Sequence, residues 1–135
     1  SGSGIEEIYK FVCFKKGLTQ KVLKAPDIGN RALNGDIDAR KTIKIFFSIF
    51  GTIISNVILI NGAQGGVVIA GGITPKLQTI LNESDFEVNF LKKGRRHDYV
   101  KNVPIWLTEN NNNGLIGASK AIENPHYTKK IITKN

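Results

Sequence analysis

Gly65-Gly66-Val67-Val68-Ile69-Ala70-Gly71-Gly72-Ile73-Thr74-Pro75-Lys76 is the stretch whose reading sets the architecture. Val67 to Ala70 is a continuous apolar run between two double glycines, the pattern of a buried strand with no polar face. Thr74 is placed to cap a following helix and Pro75 suits its first position, where a missing N–H costs nothing. Leu77, Ile80 and Leu81 supply that helix's apolar face, and Asn82 to Ser84 its end. A strand turning through two glycines into a helix predicts an α/β layer, and open α/β sheets hold ligands at the carboxyl ends of their strands. Glycines at 71 and 72 permit positive φ and let a flat group approach the backbone, while the helix start beyond them offers N–H groups to an anion. The same double glycine also makes a plain tight turn in many α/β proteins. Gly71, Gly72, Ile73 and Thr74 are the candidate binding residues.

Upstream of this stretch, Asp36 to Ile60 runs without turn residues and places Ile43, Phe46, Phe47, Phe50, Ile53, Ile54 and Val57 at helical spacing. A pattern this long is a helix despite its β-branched content. Its apolar residues spread around most of the circumference, so it is expected to be covered on several sides. Asp36 and Asp38 stand where it begins, and the capping role outweighs a paired-carboxylate one. Before it, Ile5 to Lys15 forms an amphipathic helix that Gly17 ends, and a short helix follows Pro26 and stops at Asn34-Gly35.

Downstream, a short helix is expected over Asp85–Leu91. A polar surface connection then covers Lys92 to Tyr99, a second strand Val103–Thr108, a loop Asn110–Asn113 and a closing helix Gly114–Ile122. Residues 124–135 read as a mobile tail of a single domain. The two strands alternate with helices, giving a partial sheet with packed helices.

With 135 residues, 41% of them hydrophobic, the chain has the composition of one globular domain. Nineteen basic against eleven acidic side chains give a net charge of +8. Fifteen of the basic residues are scattered lysines with no aromatic-interleaved stripe, which argues for a solvated surface and against nucleic acid. Cys13 is the sole cysteine, so no intrachain disulfide or cysteine metal cluster forms, as in a reducing compartment. The apolar segment Ile45–Ile60 is 16 residues long and holds Ser48, Gly51, Thr52, Ser55 and Asn56, short for a membrane span. No signal peptide is visible at Ser1-Gly2-Ser3-Gly4, and a cytoplasmic location is expected. His97 and His126 sit apart in polar segments and read as surface histidines. Lys92, Lys93, Arg95 and Arg96 read as a solvated basic loop.

The stretch from Gly65 to Lys76 resembles the segment of bacterial-type glucokinases that carries the adenosine motif of sugar kinases. Three further stretches agree in order. Ser1-Gly2-Ser3-Gly4-Ile5 with Ile8-Tyr9 is similar to the family's Ser-Gly-x-Gly-Leu turn and helix. Asp85-Phe86 through Lys93-Gly94-Arg95 and Tyr99, then Val103-Pro104-Ile105, is similar to its connection and next strand. Gly114-Leu115-Ile116-Gly117-Ala118 is similar to the start of its last helix.

The resemblance implies a ribonuclease-H-like fold of the hexokinase and actin-like ATPase superfamily, of which this chain is the carboxyl-terminal, nucleotide-side lobe. It implies ATP with Mg²⁺, phosphoryl transfer to the 6-hydroxyl of glucose, and a homodimer. Gly71 and Gly72 carry over as the adenosine contact, with Ile73 and Thr74 beside them and Ser1, Gly2, Ser3 and Gly4 as secondary candidates. The family's catalytic aspartate, glucose contacts and phosphate loop have no counterpart in these 135 residues. The chain is therefore expected to be inactive without an upstream half. The alternative is a non-catalytic interaction or regulatory module derived from a sugar kinase.

Overall fold

Asp36 starts the longest element. In the computed structural model, which describes residues 1–18, 22–108 and 113–122, its carboxylate accepts from the backbone N–H groups of Asp38 (3.0 Å) and Ala39 (2.9 Å). Two donors orphaned at a helix start are thereby satisfied. Helix α3 then runs Ile37–Asn61 and stops at Gly62, whose φ of 65° is the left-handed C-terminal geometry that glycine adopts without strain. Thr42, Ser48 and Ser55 turn their hydroxyls back onto carbonyls one turn earlier, so these three hydroxyls are paired within an apolar helix.

The first half of α3 packs against helices α1 (Gly2–Lys15) and α2 (Ala25–Leu33). Ile5, Tyr9, Ile28, Ala32, Ile43 and Phe47 form the core there. Burial keeps the Tyr9 phenol in its neutral form, raising its pKa, and a hydrogen bond with Cys13 adds to the effect. The second half packs against a second cluster built from Ile54, Ile58, Ile69, Phe90, Val100 and Val103. Phe50 and Phe86 adjoin both clusters, their ring centroids 6.1 Å apart, and weld them into one core.

Strands β1 (Val67–Ile69) and β2 (Ile105–Leu107) pair in parallel, with Val67 opposite Ile105, Val68 opposite Trp106 and Ile69 opposite Leu107. Bonds from Val67 N–H to Pro104 C=O and from Thr108 N–H to Ile69 C=O extend the ladder at both ends. Between the strands the chain passes through α4 (Ile73–Lys76), α5 (Gln78–Asn82), α6 (Phe86–Leu91), a 3₁₀ turn at Gly94–Arg96 and α7 (His97–Val100). Helix α8 (Asn113–Ile122) follows, with residues 114–120 exposed.

The α/β assignment and the element order follow the sequence, with several corrections. Ser1-Gly2-Ser3-Gly4 is no turn: Ser1 is the N-cap of α1, its Oγ accepting from Gly4 N–H at 3.4 Å. The helix expected beyond Thr74 breaks at Leu77, where φ −113° and ψ 19° leave helical geometry and the side chain is buried. Thr74 does not cap it, since Gly72 occupies that position and Thr74 is buried inside α4. The expected connection at 92–99 is partly helical, and His97 Nδ1 lies 3.0 Å from the Leu91 carbonyl oxygen.

Two burial expectations also change. β1 is not buried on both faces: Val68 and its partner Trp106 are 59% and 51% exposed, because no layer of the described residues covers that side. Helix α3 has one bare face along Ile49, Ile53, Val57 and Ile60. At 25 residues, α3 is also longer than the 16-residue segment judged too short to span, and by length and composition alone it qualifies as a membrane span. Its opposite face, through Ile43, Phe47, Ile54 and Ile58, is the centre of the folded core. The loop at 110–112 and the tail 124–135, including His126, lie outside the described residues.

Candidate functional site

Gly71 has a φ of 119°, a region that side-chain-bearing residues rarely enter, and a β-carbon built there would meet nothing within 4 Å. Its glycine answers a backbone need and leaves open space above the end of β1. Gly72 differs: with φ −83° it takes an ordinary conformation as the N-cap of α4, so the expectation of positive φ holds at 71 alone. Helix α4 is a single turn, too short to gather the dipole that an anion site at its start would need.

Gly72 and Ile73 form one wall of a cleft of about 390 Å³, together with Lys76 and Leu77. Gly2 and Ile5 from the first turn of α1 form a second wall. The third is α2, presenting Ala25, Pro26, Gly29, Asn30 and Leu33. Two candidate segments some seventy residues apart in sequence are thus brought to one cavity. Thr74 is buried at 6% exposure and does not line the cleft, and Gly71 lies open one residue before the lined wall. Of the secondary candidates Gly2 reaches the cleft, while Ser1 and Ser3 are exposed and 2.9 Å apart through their hydroxyls.

Helix α2 is the part of the site that the sequence reading missed. Its contribution rests on tertiary contact: Gly29 packs where a β-carbon would touch Leu77 at 3.5 Å, and Ala25 N–H donates to Glu6 Oε1 at 3.2 Å. Glu6 also pairs with Lys24 at 3.4 Å. These contacts join α2 to α1 and to the Gly72 segment, and no local sequence signal announces them.

The cleft is mainly apolar with few polar groups, and its volume falls in the range of small-molecule sites. Such a slot suits a flat heteroaromatic ring between aliphatic walls. Among the described residues no three His, Cys, Asp or Glu side chains gather as a metal site. The groups whose pKa values are displaced, Tyr9, Lys10, Glu83 and Asp98, all stand outside the cleft. The basic loop stands outside it too. Lys93 is tied to α3 through the Thr52 carbonyl (3.3 Å) and Asn56 Oδ1 (2.6 Å).

A family model described as Glucokinase matches residues 1–125. The chain is 36% identical over 124 residues to a glucokinase of Hahella chejuensis, covering 91% of this chain and 38% of that protein. It is 38% identical over 119 residues to one from Xylella fastidiosa, covering 88% and 35%. A crystal structure of glucokinase from an Antarctic psychrotroph superposes with a TM-score of 0.80 at 36% identity, covering 91% of this chain and 38% of that one. The chain spans little more than a third of the length of the relatives it matches.

Proposed function

Because the chain belongs to the glucokinase family, we propose that it supplies the adenosine side of the ATP site of an ATP-dependent glucokinase. The complete enzyme moves the γ-phosphoryl group of ATP to the 6-hydroxyl of glucose, the first step of glycolysis, in the cytoplasm. The observation that carries this reading is the convergence of Gly72-Ile73 with Gly2 and α2 on one apolar cleft beside the open Gly71. Adenine lies in that slot, and the absence of a β-carbon at 71 and 72 lets the ribose approach the backbone.

Phosphoryl transfer depends on positioning and charge neutralisation. This chain's share is positioning: the nucleoside is anchored so that the triphosphate extends away from β1. Among the described residues no three metal-ligating side chains gather, and in this reading the magnesium that accompanies ATP is held by the phosphates and by the upstream half. In this reading the catalytic base and the glucose contacts come from an upstream half, and the lobe belongs to the ribonuclease-H-like, actin-like ATPase fold. The complete protein is a homodimer, a reading supported by the bare apolar stripe on α3.

The test is glucose-dependent ADP formation with Mg²⁺, by this chain alone and joined to its upstream sequence. Activity of the joined form alone supports the split of roles. A well-folded joined form without activity would favour a non-catalytic module derived from a sugar kinase.

A further inference from the structure

Among the described residues that line the cleft, two carry polar side chains, Asn30 from α2 and Lys76 from α4; the others are glycine, alanine, proline and aliphatic residues. A slot of this kind holds a flat ring through its faces, and the polar groups must fix which ring and in what orientation. We propose that Asn30 is the specificity residue for the base, its carboxamide taking the amino-bearing edge of adenine in a two-point hydrogen bond. The proposal deepens the adenosine reading of the cleft and rests on it.

The choice between the two side chains follows from their chemistry. Adenine presents its exocyclic amine, a donor, beside a ring nitrogen acceptor. A carboxamide offers an acceptor and a donor side by side in one plane, which matches that edge. A lysine ammonium has three donors and no acceptor, so it cannot take the amine's hydrogen. Lys76 instead suits the oxygens of the ribose and the phosphates.

Asn30 is also placed to do this. Its side chain is exposed and makes no hydrogen bond among the described residues, so its amide is not committed to the fold. The helix beneath it is rigidly held, with Ile28 and Ala32 fully buried and the Ala25 N–H bound to Glu6. A recognition group on a packed helix keeps its geometry better than one on a loop.

The experiment measures binding of ADP and of purine riboside 5′-diphosphate, which lacks the exocyclic amine, to the 135-residue chain and to its Asn30→Ala and Gly72→Val variants. Wild type is expected to prefer ADP on the order of tenfold, the scale of the one amine contact that the analogue lacks. Asn30→Ala should erase the preference, lowering ADP affinity about tenfold more than that of the analogue, which loses only the ring-nitrogen contact. An ADP preference that survives in Asn30→Ala overturns the proposal, and Gly72→Val still abolishing binding would then leave the adenosine reading standing. If wild type binds neither nucleotide, both fall. Asn30 is on the surface of α2, so coincident thermal unfolding of wild type and Asn30→Ala is expected and separates lost recognition from lost structure.

Discussion

A β-carbon at Gly51 would lie 3.0 Å from the carbonyl carbon of Phe86 and closer still to its oxygen. The middle of α3 and the start of α6 thus meet backbone to backbone, and that contact brings Phe50 and Phe86 together between the two core clusters. Gly51→Ala should therefore force α6 away from α3 and destabilise the fold by roughly 1–3 kcal/mol, as overpacking of a dense core does. Gly65→Ala is the control, because a β-carbon there meets nothing within 4 Å. Urea denaturation should separate the two variants clearly, and equal midpoints would refute the close-contact argument.

Gly66 and Gly71 share nearly the same φ, 125° and 119°, but differ in their neighbours. At Gly66 an added β-carbon would meet the Trp106 ring, 2.7 Å from its Cη2, whereas at Gly71 it meets nothing. Both alanine substitutions carry the cost of a non-glycine residue in this region, of order 1–3 kcal/mol. Gly66→Ala should be the less stable of the two. It should also shift the emission of Trp106, the chain's sole tryptophan, while Gly71→Ala leaves the emission unchanged.

How much of this was legible beforehand divides along physical lines. Helix α3 and its cap at Asp36 were readable because apolar spacing and a capping residue are local signals. So was the glycine requirement at 71. The single-turn α4 was not, since the break at Leu77 answers to burial of that side chain against Gly29 of α2, far earlier in the chain. The same distance hid Asn30 and Gly29, which acquire meaning only once α2 stands beside the Gly72 segment. The bare face of Val68 and Trp106 was misread for the opposite reason: an apolar run shows that a strand can be buried, not that this length of chain covers it.

The Arg40 guanidinium, 2.5 Å away, and the Lys44 ammonium hold the Glu83 carboxyl below the usual carboxylate range and tie the end of α5 to α3. A depressed folded pKa means that the contribution is present above the unfolded value, about 4.3 for glutamate, and is lost as pH falls through the folded one. Wild type should thus be more stable than Glu83→Gln near neutral pH and converge with it in acid. The gap should also shrink with added salt, because Glu83 is exposed and its two partners are partly so. Chemical denaturation at several pH values measures it, and a gap that widened in acid would reverse the assignment.

Arg95 and Arg96 are exposed and stand outside the cleft, and neighbouring Lys93 is occupied by α3. Reversing both arginines to glutamate should leave the KM for ATP of the complete enzyme within twofold, about the size of a remote surface-charge effect. A sharp, salt-dependent rise would show that this loop grips phosphate after all.

Gly72 separates cleft chemistry from backbone strain. Its φ of −83° is open to any residue, so Gly72→Val meets no conformational barrier of the kind present at Gly71. The substitution instead places an isopropyl group on the wall that the cleft shares with Ile73. If adenosine occupies the slot, the KM for ATP should rise on the order of tenfold or more while the KM for glucose stays near wild type, since binding lost in ground and transition state alike appears in KM. Because glucose does not touch this wall in the proposed arrangement, a parallel rise in both KM values would mean that the variant distorts the whole lobe. An unchanged KM for ATP in a folded variant would place the nucleotide elsewhere.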